Sequence, residues 1–393
     1  MMAKKVYLLL LFSWFTAFVF AQESLTHATK RGTPIIHPDR RVTFQLHAPE
    51  AKSVLVTGDC ISNNEGKVRN KASLKKSESG TWEYTTSPLT ADLYYYYFLI
   101  DGVRTVDPNN AFVIRDVSTL MNLFLIEGGQ GDLYKVNQVP HGSLTHRWYD
   151  SPTLQKERRI TIYTPPGYEE SKQEYPVLYL LHGKGGDEMA WITLGRCTQI
   201  MDNLIAQRKA VPMLVVLPNG NVSQEAAPGE STEGFKQPTF ELPLTMEGSM
   251  EKSFPDIIEF IERNYRVKKG KAYRAIAGLS MGGYHSFHIA KEYPTLFNYI
   301  GLFSAAILPK PGVDSSIYKN REQKLALQFS NPPKLFWIGI GKEDFLYNQN
   351  VELRETLDKN HFPYTYYESE GGHTWKNWRK YLSIFVPQLF QHR

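Results

Sequence analysis

Ser280 stands in the run Ala277-Gly-Leu-Ser-Met-Gly-Gly283, between a stretch that reads as a strand and one that reads as a helix. A serine with glycine two places before and two after it, at a strand-to-helix turn, is a nucleophile elbow. The turn is so sharp that the serine backbone is strained, and Gly278 and Gly282 keep neighbouring chain from colliding. The hydroxyl then sits at a helix N-terminus, where free amides favour developing negative charge. Serine is a weak nucleophile at neutral pH, so it needs a general base, and the base needs a carboxylate to fix its tautomer. Around such an elbow the acid follows the serine and the histidine follows the acid, each in a loop after a strand. Asp344, in Gly341-Lys-Glu-Asp-Phe345, and His373, in Glu370-Gly-Gly-His-Thr-Trp375, meet that order, with Glu343 as the alternative acid. The other histidines fit less well: His182 follows a strand but precedes the serine, and His285 and His288 fall on the helix after the elbow. Two backbone amides must also hold an oxyanion. Met281 supplies the first, and Lys184 or Gly185, in Leu181-His-Gly-Lys-Gly-Gly186, supplies the second, with His182 bracing that loop. The chemistry of such a set is acyl transfer through a covalent intermediate, and it requires no cofactor.

Positioning these groups calls for a mostly parallel sheet covered on both faces, an α/β architecture. Apolar strands are expected at Arg159 to Tyr163, Pro176 to Leu181, Met213 to Leu217, Arg274 to Ala277, Ile300 to Phe303, Lys334 to Ile340 and Tyr364 to Glu368. Helical periodicity appears at Thr198 to Gln207, Ser249 to Tyr265, Gly282 to Glu292 and Asn348 to Asn360. Ahead of this lies a different pattern, short β-branched and aromatic runs separated by turn residues: Val42 to Leu46, Ser53 to Thr57, Thr81 to Thr85, Tyr94 to Ile100 and Met121 to Ile126. That pattern predicts a small all-β, immunoglobulin-like sandwich. Tyr94 to Ile100 carries large groups on both faces and reads as a central strand. Gly128-Gly129-Gln130-Gly131 reads as a flexible joint, which places the sandwich at 22–130 and the α/β domain at 131–393. Asn219 to Gly248, long and rich in Gly, Pro, Ser and Thr, is either a lid or wall of the site or a mobile surface insertion.

Composition limits what else the chain can be. Of its 393 residues 42% are hydrophobic and 22% charged, which excludes disorder and collagen-like repeats. The net charge of +5 is scattered without basic blocks, so nucleic-acid binding has no support. Lys4 and Lys5 precede an apolar run, Val6 to Phe20, too short to span a bilayer; residues 1–21 read as a signal peptide for export to a periplasm or the exterior, with no membrane insertion. Cys60 and Cys197 are too few and too distant for a disulfide framework or a cysteine metal site, and neither a His-Glu-x-x-His nor a Walker spacing occurs.

Four segments carry a family resemblance: Tyr175-Pro-Val-Leu-Tyr-Leu-Leu-His-Gly183, Val216-Leu-Pro-Asn219, Gly278-Leu-Ser-Met-Gly-Gly283 and Gly371-Gly-His-Thr-Trp375. From about Gly142 to Gln391 the chain resembles the esterase D-like α/β-hydrolases of carbohydrate esterase family 1, which include feruloyl and acetylxylan esterases. The resemblance implies a triad of Ser280, Asp344 and His373 and a feruloylated or acetylated polysaccharide as substrate. Trp191, Trp375, Trp378, Phe235 and Phe240 either stack on an aromatic acyl group or pack in the core. Val42-Thr-Phe-Gln-Leu-His-Ala-Pro49, Gly80-Thr-Trp-Glu-Tyr84 and Tyr96-Tyr-Phe98 resemble the early-set sandwiches of carbohydrate-binding module family 48, with Trp82 in the structural part of that pattern. Feruloyl esters of arabinoxylan are thus the expected substrate. Acetylated xylan and a catechol siderophore trilactone are the alternatives within the same chemistry, and a non-catalytic polysaccharide-binding protein is the alternative outside it.

Overall fold

The computed structural model describes residues 32–61 and 70–391. The expected signal peptide lies outside the described residues.

Among them, ten strands form the front of the molecule: β1 (Ile35–Ile36), β2 (Val42–His47), β3 (Val54–Gly58), β4 (Asn70–Ser73), β5 (Lys75–Lys76), β6 (Thr81–Thr85), β7 (Leu93–Ile100), β8 (Val103–Thr105), β9 (Val113–Asp116) and β10 (Thr119–Leu125). They make two sheets, β1-β2-β6-β5 and β4-β3-β7-β10-β9, with β8 against β7. Side chains alternate between the faces of a strand, and β7 uses both. Tyr94, Tyr96 and Phe98 join Phe44, Trp82 and Phe124 between the two sheets. Leu93 and Tyr95, from the opposite face, join the core of the rear domain. Trp82 is 7% exposed and donates its indole N–H to Ala48 O at 2.9 Å, so its ring is spent inside the sandwich.

The rear sheet runs β11 (Ser143–Ser151), β12 (Lys156–Thr164), β14 (Leu214–Pro218), β13 (Val177–Leu181), β15 (Arg274–Leu279), β16 (Tyr299–Phe303), β17 (Leu335–Gly341) and β18 (Thr365–Ser369). It is mixed, which corrects the simpler expectation of a mostly parallel sheet. β11 pairs antiparallel with β12 and β12 antiparallel with β14, while β14 through β18 pair in parallel. The short turn at 152–155 is the reason, since a connection of that length permits only an antiparallel return. Helices α1 (Ala190–Thr193), α2 (Cys197–Ala206) and α7 (Trp375–Phe385) cover one face with Trp191, Met201, Trp378 and Phe385. Helices α3 (Ser249–Asn264), α4 (Met281–Glu292), α5 (Arg321–Ser330) and α6 (Tyr347–Lys359) cover the other with Phe254, Ile257, Phe287 and Leu353.

The expected glycine joint is not a free linker. Residues Gly129–Leu133 form a 3-10 turn in which Gly131 is buried, and a Cβ there would lie 2.2 Å from Ile126 O. Gln130 Nε2 donates to Tyr134 Oη at 2.8 Å and to Ser383 Oγ of α7 at 3.0 Å. Gly131 serves close packing, while Gly128 and Gly129 take left-handed backbone, at φ 97° and 50°.

Candidate active site

The parallel pairing of β15, β16, β17 and β18 sends their following loops out of one carboxyl edge of the sheet, where open α/β sheets place their sites. Ser280 follows β15, Asp344 follows β17 and His373 follows β18. β13, on the other side of β15, delivers the loop from His182 to Gly186 to the same edge.

At Ser280 the backbone takes φ 52° and ψ −112°, the strained elbow conformation; such a residue costs about 1–3 kcal/mol and persists where its surroundings over-determine it. They do so here. Ser280 N donates to Phe303 O at 2.9 Å, and Ser280 O accepts from Tyr284 N at 2.9 Å and Ala306 N at 3.2 Å. The flanking glycines are required by space: a Cβ on Gly278 would lie 2.4 Å from the Gly282 carbonyl, and one on Gly282 would lie 2.3 Å from Leu181 O. Although Ser280 occupies the cap of α4, its side chain makes no cap bond. Ser280 is part-exposed, and among the described residues its hydroxyl is uncommitted.

Asp344 and His373 are joined. His373 Nδ1 lies 2.9 Å from Asp344 Oδ2 and 3.0 Å from Oδ1. An ionised carboxylate only accepts, so Nδ1 carries the proton and Nε2 is left as an acceptor. The Asp344 side chain is wholly buried, and its Oδ1 also accepts the Leu346 amide at 2.9 Å. Around the imidazole, Trp378 lies nearly perpendicular at 4.8 Å and Phe345 tilted at 4.5 Å. Asn377 holds the His373 loop by donating to Glu370 O at 3.1 Å and Gly372 O at 2.9 Å. Glu343, the alternative acid, is exposed.

The loop after β13 approaches Ser280 closely: a Cβ on Gly183 would lie 3.4 Å from the Ser280 Cβ. His182 is buried and holds the loop from below. The Gly220 amide donates to its Nε2 at 2.8 Å, so its Nδ1–H donates to Gly183 O, also at 2.8 Å. Burial pushes the His182 pKa down, which keeps the ring in that neutral tautomer. Gly186 N closes the turn onto Gly183 O at 3.1 Å, leaving the stretch with Lys184 and Gly185 at its crest. Met281 opens α4, and so its amide is among those without a partner inside the helix.

The five candidate contact aromatics divide. Trp191, Trp375 and Trp378 are 1%, 8% and 6% exposed and lie in the core. Trp375 meets Trp191 at 5.3 Å and Trp378 at 5.2 Å, so the three form an edge-to-face series beneath His373 and offer no open face. Phe240 is 62% exposed and lies against the Lys184 ammonium, 5.8 Å from the ring centre. Phe235 is 92% exposed, with its ring beside Gly229 of its own loop. Sequence reasoning passed over Phe345, 75% exposed against His373, although it directly follows Asp344.

The long segment 219–248 has buried anchors. Glu188, fully buried, accepts from Arg159 Nε at 2.7 Å, Asn219 Nδ2 at 3.0 Å and the Ala227 amide at 2.9 Å. Near its far end Glu241 is held between Lys310, which bonds it, and Lys184, at 3.6 Å, and these two cations keep its carboxyl below the ordinary range. The segment is thereby fastened to the loop after β13 and to the chain after β16.

An uncommitted serine at an elbow and an oriented histidine on one sheet edge, with a glycine-rich loop beside them, define an α/β-hydrolase of the serine ester-hydrolase class. The chain belongs to the Esterase family, whose model matches residues 151–389. Over 365 residues it is 29% identical to an endo-1,4-beta-xylanase/feruloyl esterase of Xylanibacter ruminicola, covering 91% of this chain and 46% of that protein. It thus spans about half the length of that relative. Among solved structures, the family 1 ferulic acid esterase of Anaeromyces mucronatus has the same fold over 72% of this chain and 97% of its own, with a TM-score of 0.55 and 22% identity. The enterobactin esterase of Shigella flexneri covers 89% of this chain and 93% of its own, with a TM-score of 0.63 and 16% identity, so that likeness of fold extends into the front sandwich.

Proposed function

We propose that the protein is an exported serine carboxylesterase that removes feruloyl groups from arabinoxylan. Ser280 is the nucleophile. His373 Nε2 takes the Ser280 proton as Oγ bonds to the ester carbonyl carbon, and Asp344 holds the imidazole in register and stabilises the imidazolium that forms. The amides of Met281 and of Lys184 or Gly185 receive the oxyanion. Collapse breaks the bond to the sugar oxygen, which leaves with the proton from His373. Water then attacks the acyl-serine with His373 again as base, releasing the free acid and regenerating Ser280.

The observation that carries this reading is the Asp344–His373 pair, bonded through Nδ1 and emerging from the same sheet edge as the strained, uncommitted Ser280. An aromatic acyl group is supported by the open rings of Phe240 and Phe345 beside the oxyanion loop and the base. It is supported also by the feruloyl esterase named among the relatives and by a solved Anaeromyces enzyme in complex with ferulic acid. Turnover of methyl ferulate, p-nitrophenyl acetate and a catechol trilactone by the wild type and Ser280→Ala tests it. Methyl ferulate is expected to be preferred and Ser280→Ala to be inactive. Preference for the acetate or the lactone overturns the acyl assignment, and unchanged hydrolysis by Ser280→Ala overturns the mechanism. Export predicts that protein recovered outside the cytoplasm begins at Gln22, which intact mass reads directly.

A further inference from the structure

The hairpin of β9 and β10 turns through Val117 and Ser118, two residues between Asp116 and its partner Thr119. Tight turns of this length prefer Asn, Asp or Gly, because they need left-handed backbone. Val117 nevertheless occupies that region at φ 54°, where a β-branched residue is a true outlier. A local rule broken this plainly marks a position held for another purpose. The valine side chain faces Gly185 of the rear domain, and a Cβ on Gly185 would lie 2.5 Å from Val117 Cγ2. Gly185 is itself left-handed, at φ 74°. A strained turn of the front domain is therefore pressed against a left-handed glycine of the rear domain, in the loop bearing the second oxyanion donor.

Arg115 fastens the contact. Its Nη1 donates to Val117 O at 2.7 Å and its Nη2 to Asp187 Oδ2 at 2.5 Å. Asp187 is only 3% exposed, and its Oδ1 accepts the Met189 amide at 2.9 Å at the entry to α1. On the opposite side of the loop Asn221 Nδ2 donates to Gly186 O at 2.7 Å. His182 and Asn221 hold the loop from within the rear domain, and the front domain holds its remaining side.

We infer that Arg115 and Val117 are positioning residues for ester hydrolysis, holding the backbone at Lys184 and Gly185 in register to receive the oxyanion. This rests on the serine-esterase reading above. An oxyanion donor is worth about 10²–10³-fold in rate only when fixed in advance at the position the charge will occupy, and the clamp supplies that fixation from the front domain. Neither side chain need touch the substrate.

The test uses the full chain with Arg115→Gln, Arg115→Lys, Val117→Gly and Ser280→Ala. Val117→Gly relieves the left-handed strain while withdrawing both methyls from Gly185, so it is the variant to rely on if Arg115→Gln folds poorly. Active sites are titrated with a fluorophosphonate, so that rates are expressed per competent serine. On methyl ferulate, kcat per titrated site is expected to fall about 10- to 100-fold in Arg115→Gln and Val117→Gly, a fraction of a full donor's worth, with KM within about threefold. Affinity for a trifluoromethyl ketone analogue, whose adduct bears an oxyanion, should fall in parallel, while that for free ferulate stays constant. Arg115→Lys should recover part of the loss. Unchanged kcat per titrated site in both variants overturns the inference, whether or not their melting temperatures drop. Turnover retained by Ser280→Ala would instead overturn the underlying esterase reading, so the two failures are told apart.

Discussion

Asp344 and Glu343 are adjacent carboxylates with opposite environments. The first is buried on His373 and the Leu346 amide, and the second is exposed. Only the buried one can fix the imidazole tautomer. Asp344→Asn is expected to lower kcat on methyl ferulate about 10³- to 10⁴-fold, because an amide can turn its N–H toward Nδ1 and favour the wrong tautomer. Glu343→Gln should leave kcat within about twofold, and steady-state kinetics of the two variants side by side decide the matter. Gly278→Ala is expected to be at least as damaging as Asp344→Asn, and to show as lost folded protein, since its methyl would lie 2.4 Å from the Gly282 carbonyl. Candidate residues were legible here wherever chemistry restricts residue type and order, as for the serine, the acid and the histidine. The tryptophans were not, because residue type and spacing do not say whether a ring face is already covered. That is decided by how α7 packs on Trp191, a contact 184 residues apart for Trp375.

Elements with a strong apolar period were readable to within a few residues at their ends, as β15, α3 and α4 show. Those that escaped have physical reasons. α7 does carry a helical stripe at 375, 378, 381, 382 and 385, obscured because its first two tryptophans also read as ring platforms. α5 buries only Leu325, Gln328 and Phe329, and β11 is an edge strand of mixed polarity paired on one side. Nor did the pattern of α4 reveal its buried polar groups. His288, wholly buried, has Nε2 3.3 Å from Ile307 O and Nδ1 3.1 Å from Lys291 Nζ. Burial, reinforced by the Lys291 charge, lowers its pKa well below 6.5. Below that value the unfolded chain binds a proton that the folded chain refuses, so this imidazole lowers stability as pH falls. His182 acts in the same direction. The urea midpoint is therefore expected to drop between about pH 7 and 5, and His288→Gln should flatten the drop. An equal drop in the variant would show that other groups control it.

Across the whole molecule, the two domains meet through shared core and a buried cation. Arg379 of α7, with 0% exposure, donates to Leu93 O at 2.7 Å, Asp92 Oδ1 at 3.1 Å, Leu194 O at 3.2 Å and the Tyr95 hydroxyl. Tyr95 in turn donates to Leu194 O at 2.9 Å. This joint was illegible in sequence, since glycines at 128–131 serve a hinge and a tight contact equally well and the partners of Arg379 lie 185 or more residues away. An interface built this way couples unfolding of the sandwich to unfolding of the α/β domain. Calorimetry of the full chain is expected to give one transition, and Arg379→Met to lower it as a whole. Removing one partner of a buried ion pair costs about 3–5 kcal/mol, and the lower end applies because Lys376 Nζ, 3.8 Å from Asp92, remains as a partial partner. A fragment of residues 131–393 loses Leu93 and Tyr95 from its core and leaves the Arg379 guanidinium without its front-domain acceptors, so it should be recovered poorly or melt well below the full chain. Two resolved transitions, with Arg379→Met moving only one, would show that the domains fold independently and that the interface is a contact between separate bodies.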